Sequence, residues 1–160
     1  DLRRPFVYTY GGDTENLERA KTQGGILLRG KDDLEHLVPS LIENQRWRME
    51  HFDRPQTYVV SPNGTFIAGG MLQEHVDVAQ GKDVIAAGEA FFQKDEEGWY
   101  IRELNNRSTG YYPYGGCYRW AAHALRKTGL RFPESFAETF PKEGWIEKEL
   151  LNLQWPTISR

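Results

Sequence analysis

The spacing of apolar and polar residues along the chain changes period several times, and each change predicts an element. Val84 to Phe92 is a β-compatible run, Lys94 to Gly98 is a polar turn closed by glycine, and Trp99 to Leu104 returns as a second strand. Thr57 to Val60 and Thr65 to Ala68 form a second hairpin around Ser61-Pro62-Asn63-Gly64, where Asn-Gly predicts a type I′ turn. Phe6 to Tyr10 and Ile26 to Arg29 read as short strands. Between them, Asp13 or Thr14 caps a helix that turns Leu17 and Ala20 inward, with Gly24 as its left-handed stop. Leu34, Leu37, Val38, Leu41 and Ile42 recur at helical spacing behind an Asp32 cap and a Glu35 capping box; Pro39 divides that helix, and a second piece runs to about Phe52. Met71 to Gln80 fits a helix face through Leu72, His75, Val76 and Ala79, and loosely fits alternation. Cys117 to Thr128 is a helix with Trp120, Ala121, Ala124 and Leu125 inward and Gly129 past its end. Pro133 to Phe140 is a short helical turn and Trp145 to Leu153 a last helix. Hairpins in the middle and helices at both ends predict an α+β fold, a single domain over 1–160 with a central antiparallel sheet.

Composition narrows the function classes. The chain has 160 residues and a formal net charge of −3, without the basic excess of a phosphate-backbone binder, so a nucleic-acid partner is not expected. Arg46-Trp47-Arg48 offers cationic and stacking groups, but Glu43 and Glu50 flank it, which fits a solvated helix face. No apolar run approaches the roughly 20 residues of a membrane span. One cysteine excludes an internal disulfide and fits a reducing compartment, and the start shows no signal core, so the expectation is a cytoplasmic chain with no membrane partner. The histidines at 36, 51, 75 and 123 form no zinc spacing, and no metal is expected; phosphate-loop signatures are absent as well.

Candidate chemistry gathers around the Val84 to Leu104 hairpin and the loop that leaves it. Asn105, Asn106, Arg107, Ser108, Thr109 and Gly110 stand directly before Tyr111, Tyr112, Pro113 and Tyr114. Two readings are open. These groups close a turn through their own backbone bonds, with Gly110 at positive φ, or they and the tyrosine rings face a planar ligand. Glu89 interrupts the apolar run AAGEAFF. It faces water on an open sheet side, or it is held in a partly dry cleft, where desolvation would raise its pKa and suit it to acid or base work. His75 is a hydrogen-bonded structural residue or a catalyst. Cys117 opens a helix after Gly115-Gly116, where helix amides favour a thiolate. A nucleophile there needs a base: His123 faces away round the helix, leaving His36, His51 or His75. The alternative is a small buried residue at a helix start.

Two resemblances add to this reading. HVDVAQGKDVIAAGEAFF followed by NNRSTGYYP resembles uncharacterised bacterial toxin or effector-type modules, in which a His segment, an AGE strand and an N-x-S-x-G-Y loop ending in Pro follow in order. His75, Gly81, Val84, Ala87, Gly88, Glu89, Asn106, Ser108, Gly110 and Pro113 carry it, over roughly a quarter of the chain. FVYTYGGDTENLERAKTQGGILLRG resembles the opening of ADP-ribosyltransferase-like domains: strand, short helix, Gly, second strand. That family usually places His or Arg on the first strand, where this chain has Tyr8, Thr9 and Tyr10. The resemblance implies NAD as cofactor, with Tyr10, His75, Tyr111 and Tyr112 lining a nucleotide-like ligand and Glu89 or Glu103 orienting a ribose. A non-catalytic protein-binding module of immunity or adaptor type is the alternative, with Tyr111, Tyr112, Tyr114 and Trp99 as interface anchors. A cysteine-dependent enzyme centred on Cys117 is the third reading.

Overall fold

The computed structural model describes residues 5–35, 55–69, 73–134 and 136, and the backbone of 158–159. The expected helices after Pro39 and over Trp145 to Leu153, and most of Pro133 to Phe140, lie outside them. Antiparallel hairpins build the centre of the molecule. Strands β2 (Ile26–Leu28), β3 (Gln56–Val60), β4 (Phe66–Gly69), β5 (Ala86–Asp95) and β6 (Gly98–Leu104) form one sheet in the order β2-β4-β3-β5-β6. The fold is therefore α+β around an antiparallel sheet, with helices before and after it. Strand β1 (Val7–Tyr8) pairs apart from that sheet with β7 (Ile158–Ser159), and Tyr8 also exchanges two backbone hydrogen bonds with Val84.

Register sorts the strand residues onto two faces. Tyr58 pairs with Ala68 and Gly88, Val60 with Phe66 and Ala86, and Gln56 with Ala90. These share one face. Tyr58 stacks on Phe66 with centroids 4.9 Å apart, and Phe92 meets Phe66 edge-on. The helix after the sheet, Tyr118–Lys127, buries Ala121, Ala122, Ala124 and Leu125; Cys117 at its start lies close enough to Tyr58 to push the Tyr58 phenol pKa upward, behind the larger effect of burial. The opposite face carries Thr57, Val59, Ile67, Ala87 and Glu89. There Val78 lies against Gly25 and Gly69, where a β-carbon would meet it at 2.8 and 2.3 Å. We label the helices α1 (Thr14–Ala20), α2 (His75–Val78) and α3 (Tyr118–Lys127). Arg19 of α1 donates to both carboxylate oxygens of Asp77 in α2, at 3.1 and 3.3 Å, which ties the two helices together.

Several local expectations are corrected. Asp13 caps α1, its Oδ1 accepting from Asn16 N at 2.8 Å, but the helix ends at Ala20, and Gly24 at φ +145° is not its left-handed stop. Residues 31–35 are helical from one position before the expected Asp32 cap. Asp33 instead reaches back, accepting from Arg29 N at 2.8 Å. The 61–64 turn is not type I′, because Gly64 is at φ +87° and Asn63 is not at positive φ. Gly64 N donates to Ser61 O and Ser61 N to Thr65 O, which places Pro62 at the second turn position and Gly64 in the bulge after it. Proline fixes the φ that this position needs and overrides the Asn-Gly preference. Within the ambiguous Met71 to Gln80 stretch, His75–Val78 is helix α2, and residues 71–72 lie outside the described residues. Gly129, at φ +86°, does follow α3.

Candidate functional site

Asn105 knots the start of the 105–114 loop to β5. Its Oδ1 accepts from Glu89 N at 2.9 Å and from Arg107 N at 3.0 Å, and its Nδ2 donates to Glu89 Oε1 at 3.0 Å. Its backbone N donates to Glu89 O at 3.0 Å, and its O accepts from the Tyr58 hydroxyl at 2.8 Å. A buried amide with every polar group used holds the loop entry in one geometry. Tyr58→Phe removes the donor to a buried carbonyl. It is expected to cost about 1–3 kcal/mol in chemical denaturation; an unchanged midpoint would show that the bond contributes nothing.

The loop spends most of its polar groups on itself, the first of the two readings given above. Asn106 Nδ2 donates to Pro113 O at 3.1 Å, Tyr111 N to Ser108 Oγ at 3.3 Å, and Tyr112 N to Ser108 O at 2.9 Å. Asn105, Asn106 and Ser108 are buried. Tyr111, expected to face a ligand, is 0% exposed and its hydroxyl donates to Lys82 O at 2.7 Å; burial pushes its phenol pKa up. Its ring is core, so it cannot stack on a visitor. Gly110 does not take positive φ; Tyr112 does, at +48°. Gly110 is small for another reason: a β-carbon there would lie 2.7 Å from the Tyr10 ring. Arg107 and Thr109 are exposed and Tyr112 is half-buried.

Glu89 is half-buried rather than fully open to water. Its side chain is 28% exposed, bound by Asn105, with Arg107 Nη1 at 3.9 Å. His75, the first residue of α2, donates Nε2–H to Gly88 O at 2.8 Å. A carbonyl only accepts, so Nδ1 is the bare acceptor nitrogen of a neutral ring. Burial lowers the His75 pKa from 6.5 to about 4, against the opposing pull of that hydrogen bond. The ring is therefore uncharged at neutral pH and is a weak base.

These elements enclose a recess of about 300 Å³ lined by Tyr10, Asn16, Glu74, His75 and Thr109, with Gly12 and Gly110 beside the Tyr10 ring. Tyr10, His75 and Thr109 come from three separate segments that the sequence reading had named. Glu89 is not in the lining; it is next in sequence to Gly88, whose carbonyl holds His75. Glu74 is the carboxylate that reaches the recess, with Arg19 Nη2 3.5 Å from its Oε2. Asn16 and Glu74 were not singled out for ligand contact. Asn16 carries only a capping signal in sequence, its backbone N bonding Asp13.

Cys117 lies elsewhere. It sits in a 3₁₀ turn (Gly115–Cys117) before α3, 3% exposed, with its N donating to Tyr114 O at 3.0 Å. It borders a different cleft from His75. His123, exposed where Cys117 is buried, borders the same cleft as Cys117. His36 and His51 lie outside the described residues. Tyr114 and Trp99, two of the proposed interface anchors, border separate clefts.

Among the described residues no group of three or more His, Cys, Asp or Glu side chains is placed to hold a metal ion, and no helix is long and apolar enough to cross a membrane. No family model, curated protein or solved structure matches the chain.

Proposed function

We propose that this domain is an ADP-ribosyltransferase-like enzyme that takes the nicotinamide–ribose end of NAD into the recess beside the 105–114 loop. The observation that carries the reading is the convergence of Tyr10, His75 and Thr109, from the end of the first strand, helix α2 and the loop, on one 300 Å³ recess that also holds Glu74. That volume is at the small end of ligand sites, roughly 300–1,000 Å³, and suits part of a dinucleotide rather than all of it. The Tyr10 phenol offers a ring face to a cationic nicotinamide. Thr109 and the His75 Nδ1 acceptor suit ribose hydroxyls. Glu74 places negative charge where an oxocarbenium develops. In the transfer, the C1′–N bond to nicotinamide breaks and nicotinamide leaves neutral with the bonding pair. The acceptor then bonds to C1′ and its proton passes to Glu74. Glu89 and Asn105 fix the β5 backbone that positions His75, so in this reading Glu89 is a positioning residue.

Saturation-transfer NMR with millimolar NAD is expected to show transfer to the nicotinamide protons, weakened at least about tenfold in affinity by Tyr10→Ala. Glu74→Gln is expected to retain that transfer and to slow nicotinamide release at least about 100-fold. No transfer to NAD from the folded wild-type chain would overturn the reading.

A further inference from the structure

Arg19 of α1 stands outside the lining of the recess and joins two side chains that belong to it. Its Nη1 donates to Asn16 Oδ1 at 2.6 Å, and its Nη2 lies 3.5 Å from Glu74 Oε2. Resting on the NAD reading above, we propose that Arg19 is a positioning residue of the recess, which sets the Asn16 amide and the Glu74 carboxylate for the ribose without touching it.

Two pairs spaced three residues apart meet here, Asn16 and Arg19 on α1 and Glu74 and Asp77 at the start of α2. Asp77 anchors the set, with a side chain 9% exposed. Its Oδ1 accepts from Arg19 Nε at 3.1 Å, and its Oδ2 from Arg19 Nη2 at 3.3 Å and from Glu74 N at 3.1 Å. Two parallel bonds to one carboxylate fix the guanidinium plane. That leaves Nη1 for Asn16 and the outer side of Nη2 for Glu74. The Asn16 amide is then held at both ends, because its Nδ2 donates to Asp13 Oδ2 at 3.2 Å. The Glu74 side chain is 64% exposed and has water around most of its length. An ion pair this exposed adds little to stability. Its consequence is orientation: a carboxylate kept in one geometry meets a developing positive charge without first being ordered. Lysine is not equivalent to Arg19, since an ammonium lacks the planar fork that spans Asp77, Asn16 and Glu74 together.

Steady-state release of nicotinamide from NAD tests this. Arg19→Ala would strip Asp77 of its cation, so Arg19→Lys, which keeps one there, is the informative variant. It is expected to keep the wild-type circular dichroism. Its kcat is expected to fall at least about tenfold, with KM within about threefold of wild type. A residue that only ties α1 to α2 would lower the denaturation midpoint and show no such split. In a Glu74→Gln background, Arg19→Lys is expected to slow release by less than about twofold further, because it acts on the rate through Glu74. Two results would overturn the inference and leave NAD use standing: release by Arg19→Lys at the wild-type rate, or losses from the two substitutions that multiply. No release from the folded wild type would overturn the NAD reading, and the inference with it.

Discussion

Gly88→Ala is expected to destabilise the fold by at least about 3 kcal/mol, and to leave much of the protein unfolded at 37 °C. A β-carbon at Gly88 would lie 1.8 Å from the carbonyl oxygen of Asn105 and 2.6 Å from its carbon. Both atoms are backbone, so no side-chain rotation relieves the overlap. Asn105 is itself held from several directions, by Tyr58, by the Glu89 backbone and by the Glu89 carboxylate. Relief requires β5 to move from the loop, which breaks that set of bonds and the His75 bond to Gly88 O. Urea denaturation of the variant measures the cost. A midpoint within experimental error of wild type would mean that strand and loop do not approach as described. The neighbouring Ala87, on the opposite face in register with Val59, meets no such constraint.

Acid is expected to weaken the fold through His75. The unfolded chain takes up this proton near pH 6.5, the folded chain only near pH 4. Between those values the unfolded state binds more protons, so stability falls as pH drops from about 6.5 to about 4 and is fully present above 6.5. The full shift corresponds to at most about 3 kcal/mol, less to the extent that the half-buried ring is solvated. Glu74, Asp77 and Glu89 also face this region, so wild type is compared with His75→Gln, which retains an N–H for Gly88 O. The variant is expected to lose most of the slope between pH 6.5 and 4 in denaturation midpoints. An identical slope in both proteins would place the acid sensitivity elsewhere.

The hairpins and α3 were legible because alternation, a polar turn and helical spacing are local signals. The Ser61–Gly64 turn was misread where two local signals competed: Asn-Gly favours one turn and Pro62 another, and proline has the stiffer constraint. The loop over 105–114 was legible as a special segment but not in its use. Asn, Ser and Tyr side chains look alike in sequence whether they satisfy their own backbone or a ligand. What decides is a partner far along the chain, such as Tyr58 for Asn105 or Lys82 for Tyr111. Gly88 and Gly110 read as ordinary strand and turn glycines, and only the packed structure shows the Asn105 carbonyl and the Tyr10 ring that exclude a β-carbon. His75 and Tyr10 stand 65 positions apart, so sequence could name each without placing them in one recess.

An amide correlation spectrum of the ¹⁵N-labelled chain, titrated with NAD, tests the recess most directly. The signals of Tyr10, His75, Thr109 and Gly110 are expected to move together and saturate at one concentration, while those of the β5–β6 turn at Asp95 and Gly98 stay still. Recess signals that remain fixed in saturating NAD would contradict the assignment of this site.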